Sequence, residues 1–171
     1  MTGLLDRPAA VGAPAGDLVT IRPARPGDAP AVRAFLAGLS PDSAYRRFFT
    51  GIAPSPSAAF VRHFVEVDHD RRETVLAMLA GEVIGLADCA RVYGGWTVEL
   101  GVVIADAWQR LGLGSQLADE ALGRAVARGA TALLVHTLAD NARVARMLRR
   151  RWPGSEPAFE DGMLVWRLPL V

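Results

Sequence analysis

The segment that decides the fold reads Gln109-Arg110-Leu111-Gly112-Leu113-Gly114-Ser115. It follows an apolar run at 96–104 and leads into residues 112–128, whose apolar side chains recur at helical spacing. A strand, a glycine-rich bend and an amphipathic helix are therefore predicted in that order. Glycine lets the backbone approach a ligand closely, and the first N–H groups of a helix lack partners within it. With the helix dipole, these groups favour phosphate or pyrophosphate at the bend.

Three phosphate-binding motifs compete for this bend. A Walker P-loop needs a lysine after its second glycine, and the chain has no lysine. The dinucleotide fingerprint needs a third glycine, where this chain has Leu117, and it opens its domain rather than coming late in the chain. The remaining match is the Gln/Arg-x-x-Gly-x-Gly/Ala loop that binds the pyrophosphate of coenzyme A. A tight connection eased by glycines, with no ligand, is the alternative.

Glu99 is the only ionisable residue in the apolar run at 96–104. Strand alternation places it on one face with Thr97, Gly101 and Val103. An unpaired buried carboxylate is costly, so Glu99 must find a partner or face a cavity. We expect it to face a cleft as a general base. An edge-strand glutamate paired with an arginine is the alternative.

The rest of the chain shows helix and strand patterns in mixed order. Asp28 suits an N-cap, and Ser40-Pro41 and Ser57 are typical of two further helix starts. Ala80-Gly81-Glu82 has hairpin spacing, and Gly94-Gly95 predicts another turn. Strand patterns that precede a strand–helix–strand–helix stretch predict an α/β fold with mixed strand directions. The predicted strands are 18–21, 74–79, 83–92, 96–104, 131–138 and 163–168, and the two later helices are 112–128 and 141–151.

Composition narrows the class of protein. The length of 171 residues suits one domain, which we expect at residues 17–171. Residues 1–16 are rich in Ala, Pro and Gly and are expected to form a flexible tail. This tail does not resemble a secretion signal. Cys89 is the only cysteine, which excludes an internal disulfide, and no Cys/His cluster has metal spacing. A net charge of +1 argues against an extended nucleic-acid surface. No run approaches the ~20 apolar residues that span a bilayer. A cytoplasmic protein without metal, nucleic-acid or membrane partner is expected.

These segments resemble the GNAT superfamily, the Gcn5-related N-acetyltransferases. The resemblance runs from Leu18 to Leu168 and includes the strand and loop described above and Asp140-Asn141 before a later helix. The stretches 39–49, 67–70 and 98–103 are most similar to bacterial protein-lysine acetyltransferases. The resemblance implies the GNAT fold, an α/β fold with a mixed, mostly antiparallel central sheet of six to seven strands flanked by helices.

The resemblance also implies roles for individual residues. Glu99 falls where lysine acetyltransferases keep their general base, which acts directly or through water. Strand backbone groups would pair with the pantetheine arm of acetyl-CoA, and the loop amides would hold its pyrophosphate. Asn141 would form a hydrogen bond to the cofactor near its pantetheine end. The alternative for Asn141 is a simple N-cap. The implied cofactor-binding residues are Val102, Val103, Ile104, Gln109, Arg110, Leu111, Gly112, Leu113, Gly114, Ser115 and Asn141.

Two departures from the family pattern affect the expected mechanism. Many relatives place a tyrosine, the acid for the leaving thiolate, where this chain has Leu148. No side-chain acid is therefore assigned, and nothing in the sequence singles out Tyr45 or Tyr93. The usual Gly-Phe is replaced by Trp152-Pro153-Gly154, so the residues of the acceptor-side wall are not assigned. His136 is expected to be a hydrogen-bonded core histidine, with reach into the cleft as the alternative.

The expected function is transfer of an acetyl group from acetyl-CoA to a primary amine in a ternary complex. A protein lysine is slightly favoured as the acceptor, and the oligomeric state is left open. Two alternatives stay open: a small-molecule amine acetyltransferase, and a catalytically silent acyl-CoA-binding regulatory module.

Overall fold

Seven strands form one sheet in a computed structural model that describes residues 18–92 and 95–170. The strand order is β1-β2-β3-β4-β5-β7-β6, and every neighbouring pair is antiparallel except β4 and β5, which are parallel. This confirms the mixed, mostly antiparallel sheet. The strands are β1 (Thr20–Pro23), β2 (Arg72–Leu79), β3 (Glu82–Val92), β4 (Thr97–Ile104), β5 (Ala132–Leu138), β6 (Ala158–Glu160) and β7 (Met163–Pro169). The tail at 1–16 and Gly94 of the predicted turn lie outside the described residues.

Five helices flank the sheet in the described part of the chain. Ser40 and Ser57 cap the second and third, because their hydroxyls accept from the backbone N–H groups of Ser43 and Phe60. Asp28 precedes the first helix as predicted, but its carboxylate makes no capping bond there and accepts instead from the guanidinium of Arg22. The helices are α1 (Ala29–Ala37), α2 (Pro41–Phe48), α3 (Ala58–Val65), α4 (Leu113–Ala127) and α5 (Ala142–Arg151). None of them is long and apolar enough to cross a membrane.

The sheet has a hydrophobic core on each face. Helices α1 and α3 bury Leu36 and Phe64 against strand residues such as Leu86 and Val103. Helices α4 and α5 cover the other face, where strand and helix side chains surround Trp166. Because strand side chains alternate between the faces, Val98 packs under α4, and Glu99 lies on the face of α1, α2 and α3.

The β2–β3 hairpin has the predicted position. Strand β2 ends at Leu79 and β3 begins at Glu82. The two residues between them, Ala80 and Gly81, have φ of 49° and 85°. Positive φ at both turn residues matches the twist of a two-residue hairpin. The hairpin supplies β3, against which β4 is held in register.

Candidate active site

The parallel strands β4 and β5 form a fork at the centre of the sheet. They pair over only three positions: Thr97 with Ala132, Val98 with Leu133, and Glu99 with Leu134. Beyond Glu99, β4 continues to Ile104 with β3 alone as its neighbour. One edge of β4 is therefore open along about 17 Å, at ~3.3 Å per residue. Glu99 stands at the head of this fork.

The open edge presents backbone groups that can pair with an extended ligand. The Ala105 N–H donates to the Ile84 carbonyl at 2.9 Å. Backbone groups alternate between the two edges of a strand, so those of odd-numbered β4 residues point to β3 and those of even-numbered residues point to the other edge. Val103 accordingly directs its backbone groups to β3, opposite Leu86. Because the Glu99–Leu134 pairing uses the Leu100 N–H, the groups on the open edge are the Leu100 C=O and the N–H and C=O groups of Val102 and Ile104. Of the three predicted strand contacts, Val102 and Ile104 lie on the open edge and the main chain of Val103 does not.

The glycine bend follows the open end of β4. Gly112 has φ 84° and ψ −8° immediately before α4, a left-handed conformation that favours glycine. A Cβ on Gly114 would lie 3.7 Å from Ile104 and 3.9 Å from Val102, so the start of α4 packs close to the open edge. Within the described chain, the backbone N–H groups of 110–114 donate to no acceptor, whereas Gln109 and Ser115 donate to the Asp106 and Gly112 carbonyls. Free N–H donors at a helix start are groups that could bind an anion.

The side chain of Gln109 connects the bend to α2. Its Nε2 donates to the Ser43 hydroxyl at 2.9 Å and to the Ile104 carbonyl at 3.1 Å. Ser43 and Ser40 in turn donate their hydroxyls to the carboxylate of Asp106, at 2.7 and 2.6 Å. Burial raises the pKa of Asp106, but the bonds from Ser40 and Ser43 outweigh it and leave that pKa below its ordinary value. The network holds the bend in register with α2.

Glu99 has a histidine as its partner. Its Oε1 lies 2.9 Å from Nδ1 of His136 on β5, and 44% of the Glu99 side chain is exposed. The carboxylate is therefore neither an edge-strand partner of an arginine nor sealed in the core. Both expectations for His136 hold in part, since it is hydrogen-bonded and it reaches the fork.

An ion pair covers the strand next to Glu99. The guanidinium of Arg47 on α2 pairs with Asp88 on β3, and both side chains are more than four-fifths buried. Asp88 lies opposite Gly101 in the sheet. A Cβ on Gly101 would overlap the guanidinium, so only glycine leaves room for Arg47 here.

Asn141 caps α5 and keeps its amide nitrogen free. Its Oδ1 accepts from the Val144 N–H at 3.4 Å, and its Nδ2 donates to no acceptor in the described residues. The preceding Asp140 accepts from Arg46, which also bonds Asp42. The N-cap role is thus present, and the amide nitrogen remains available to a ligand.

Within the described residues, no side-chain acid takes the place of the tyrosine that the resemblance implied at position 148. Leu148 is 3% exposed and belongs to the core beneath α5. Tyr45 is half exposed on α2, and Tyr93 lies outside the described residues. Trp152 donates its indole N–H to the Pro169 carbonyl at 2.7 Å, so it fastens the end of α5 to β7.

The remaining reactive side chains have structural partners. His69 bonds the buried carboxylate of Glu73 at 2.7 Å, and His63 packs edge-on against Phe64. Burial raises the pKa of the Cys89 thiol to about 12. Among the described residues, no group of three or more His, Cys, Asp or Glu side chains is arranged to hold a metal ion.

The fork, the bend and Glu99 together could hold an extended acyl carrier with a diphosphate, beside a carboxylate. The sequence model of the acetyltransferase (GNAT) family matches residues 40–151, well over half of the chain. The chain therefore belongs to the GNAT family, and it is an acyl-CoA N-acyltransferase. No curated protein matches it.

Solved GNAT structures share this fold. The GNAT domain of PAT from S. lividans superposes with a TM-score of 0.82 at 24% identity, covering 93% of this chain and 100% of that one. A GNAT-family acetyltransferase from Streptococcus pneumoniae gives 0.66 at 22% identity, covering 89% and 99%. A GNAT phosphinothricin acetyltransferase from Sinorhizobium meliloti, in complex with acetyl-CoA, gives 0.65 at 20% identity, covering 89% and 88%.

Proposed function

We propose that this protein transfers the acetyl group of acetyl-CoA directly to the side-chain amine of a protein lysine, with Glu99 as general base. The observation that carries the proposal is the position of Glu99 at the head of the β4–β5 fork. The fork leads from this carboxylate to the free amides of 110–114. One extended cofactor can therefore occupy the bend and present its acyl end to Glu99. A cytoplasmic location is part of the proposal, because it would give access to acetyl-CoA.

The residues of the site fit coenzyme A. The open-edge groups of Val102 and Ile104 match the amides of a pantetheine arm, and the N–H groups of 110–114 match a diphosphate. Gly112 supplies the backbone conformation that exposes these donors. The free Nδ2 of Asn141, three residues beyond the end of β5, would add a donor. When bound, acetyl-CoA supplies a thioester that is activated toward an amine.

Glu99 would prepare the amine for attack. A lysine ammonium has an ordinary pKa of about 10.4, so freeing its lone pair at pH 7 costs about 4–5 kcal/mol. The Glu99 carboxylate accepts that proton, directly or through one water. The Val102 N–H, on the open edge, would donate to the acyl carbonyl. With Leu148 buried, the leaving thiolate would take its proton from water or from the amine nitrogen after attack.

The openness of the site favours a protein acceptor over a small amine. Glu99 and Tyr45 are each about half exposed, at 44% for the Glu99 side chain and 50% for Tyr45. Two nearby carboxylates, Asp42 and Asp140, are both paired with Arg46, so they do not form an acidic pocket for a free polyamine or amino sugar. A half-exposed base whose neighbouring carboxylates are already paired suits a lysine presented on a protein surface. The similarity of 39–49 to lysine acetyltransferases supports the same acceptor.

The test is a screen of amine acceptors that detects free thiol, followed by Glu99→Gln. Transfer to lysine-bearing proteins should exceed transfer to small amines. Glu99→Gln should lower turnover about 10²- to 10⁴-fold, the usual contribution of a general base, while acetyl-CoA affinity stays near the wild-type value. Glu82→Gln, on the hairpin, is the matched control.

Three outcomes would contradict parts of the proposal. Preferential transfer to a small amine would replace the lysine acceptor. Unchanged turnover in Glu99→Gln would remove the base. Coenzyme A binding without transfer to any acceptor would favour a silent acyl-CoA-binding module.

A further inference from the structure

A histidine stands beside the proposed base and has no role assigned to it so far. His136 lies two residues beyond Leu134, the last β5 residue that pairs with β4. Alternation along β5 puts it on the same face of the sheet as Leu134 and Glu99. Its backbone is held opposite Val165 in the antiparallel pairing with β7. Glu99 and His136 therefore meet across the fork where the two strands begin to separate.

We propose that His136 is a positioning residue for Glu99. An ionised carboxylate is only an acceptor, so the 2.9 Å contact requires the hydrogen to sit on Nδ1 of His136. That N–H holds Oε1 and leaves Oε2 of Glu99 for the proton of the acceptor amine. The inference rests on the proposed role of Glu99 as base.

The neighbouring charges leave Glu99 as the carboxylate that His136 contacts. Glu160 on β6 is close enough to His136 to interact electrostatically. It accepts two bonds of 2.9 Å from the guanidinium of Arg167 on β7, so its charge is already matched. Glu99 has no ion-pair partner in the described residues other than His136. Losing the imidazole would therefore free the Glu99 carboxylate to rotate in a half-open site.

Position matters because a base must meet the amine proton within hydrogen-bond reach. Glu99 has three side-chain torsions, and nearly half of the side chain is exposed to solvent. Fixing Oε1 removes most of that freedom before the acceptor arrives. Preorganisation of this kind increases kcat without changing how acetyl-CoA binds at the bend.

The test compares two variants of equal size that differ in their hydrogen-bond donor. The amide of Asn overlaps the Nδ1 edge of an imidazole, so His136→Asn can retain the donor, whereas His136→Leu cannot. We expect His136→Leu to lower kcat about 10- to 100-fold, the factor for a hydrogen bond to a charged group, and His136→Asn to stay within about threefold of wild type. KM for acetyl-CoA should not change in either variant, and His63→Asn is the matched control.

The same pair is then made in the Glu99→Gln background. If His136 acts through Glu99, His136→Leu should add less than about a twofold further loss there. Equal losses of kcat in His136→Leu and His136→Asn would show that His136 acts only through packing. An undiminished loss of kcat from His136→Leu in the Glu99→Gln background would show that His136 acts independently of Glu99. Either result overturns the inference. If Glu99→Gln is impaired but His136→Leu is not, only the positioning role fails. If Glu99→Gln alone leaves turnover unchanged, the proposed base fails as well.

Discussion

Replacing each glycine of the bend by alanine should separate the two roles that the bend combines. Gly112 has φ 84° and ψ −8°, where a Cβ is strained. The strain costs about 1–2 kcal/mol for an alanine. Gly114 lies inside α4, and its added Cβ would make ordinary contacts of 3.7 and 3.9 Å with Ile104 and Val102. Alanine there should stabilise the helix by about 0.5–1 kcal/mol.

The two variants should therefore shift in opposite directions. In Gly112→Ala, the strain appears either as lower stability or, if the bend relaxes, as amides turned away from the diphosphate. One or two kcal/mol corresponds to about a 5- to 30-fold change in the unfolding equilibrium or in the Kd for coenzyme A. Gly114→Ala should unfold at higher urea and bind coenzyme A within about twofold of wild type. The assays are urea denaturation and isothermal titration with coenzyme A. Wild-type stability together with wild-type affinity in Gly112→Ala would refute the role given to the bend.

Three further changes probe other parts of the molecule. Gly101→Ala should displace Arg47 from Asp88 and cost about 1–3 kcal/mol in urea denaturation; an unchanged midpoint would contradict the packing described. The Cys89 thiol, with burial raising its pKa to about 12, should be unreactive toward a disulfide reagent at pH 8 until urea unfolds the chain, so fast labelling of the native protein would count against its burial. Leu148→Tyr should overpack the core, which costs about 1–3 kcal/mol of stability and lowers the thermal midpoint, without increasing kcat; a gain in kcat would show that the position can serve as the acid after all.

Local sequence signals predicted most of the fold. The serine caps at Ser40 and Ser57 and the two-residue turn at Ala80-Gly81 depend on neighbours within four positions in the chain. Strand β6 was missed because its three residues, Ala158–Glu160, are all exposed and show no apolar alternation. Asp28 was placed correctly before α1, but its partner Arg22 comes from β1 and the sequence pattern does not reveal that contact.

The sequence indicated the backbone features of the candidate site but not the side-chain contacts within it. The glycines and the lone glutamate stand out because their residue types are unusual where they occur. The contact between Glu99 and His136 depends on the parallel register of β4 and β5, which are joined by more than twenty residues. The inward turn of the Gln109 side chain likewise depends on Ser43, 66 positions earlier. Such long-range pairings follow from the assembled sheet.

A crystal structure of the protein with acetyl-CoA tests the central claim most directly. We expect diphosphate oxygens within hydrogen-bond distance of the amides of 110–114, the pantetheine arm along the open edge of β4, and the thioester carbon on the same face as Glu99. A diphosphate bound elsewhere, or an acyl group on the α4 face of the sheet, would contradict this account.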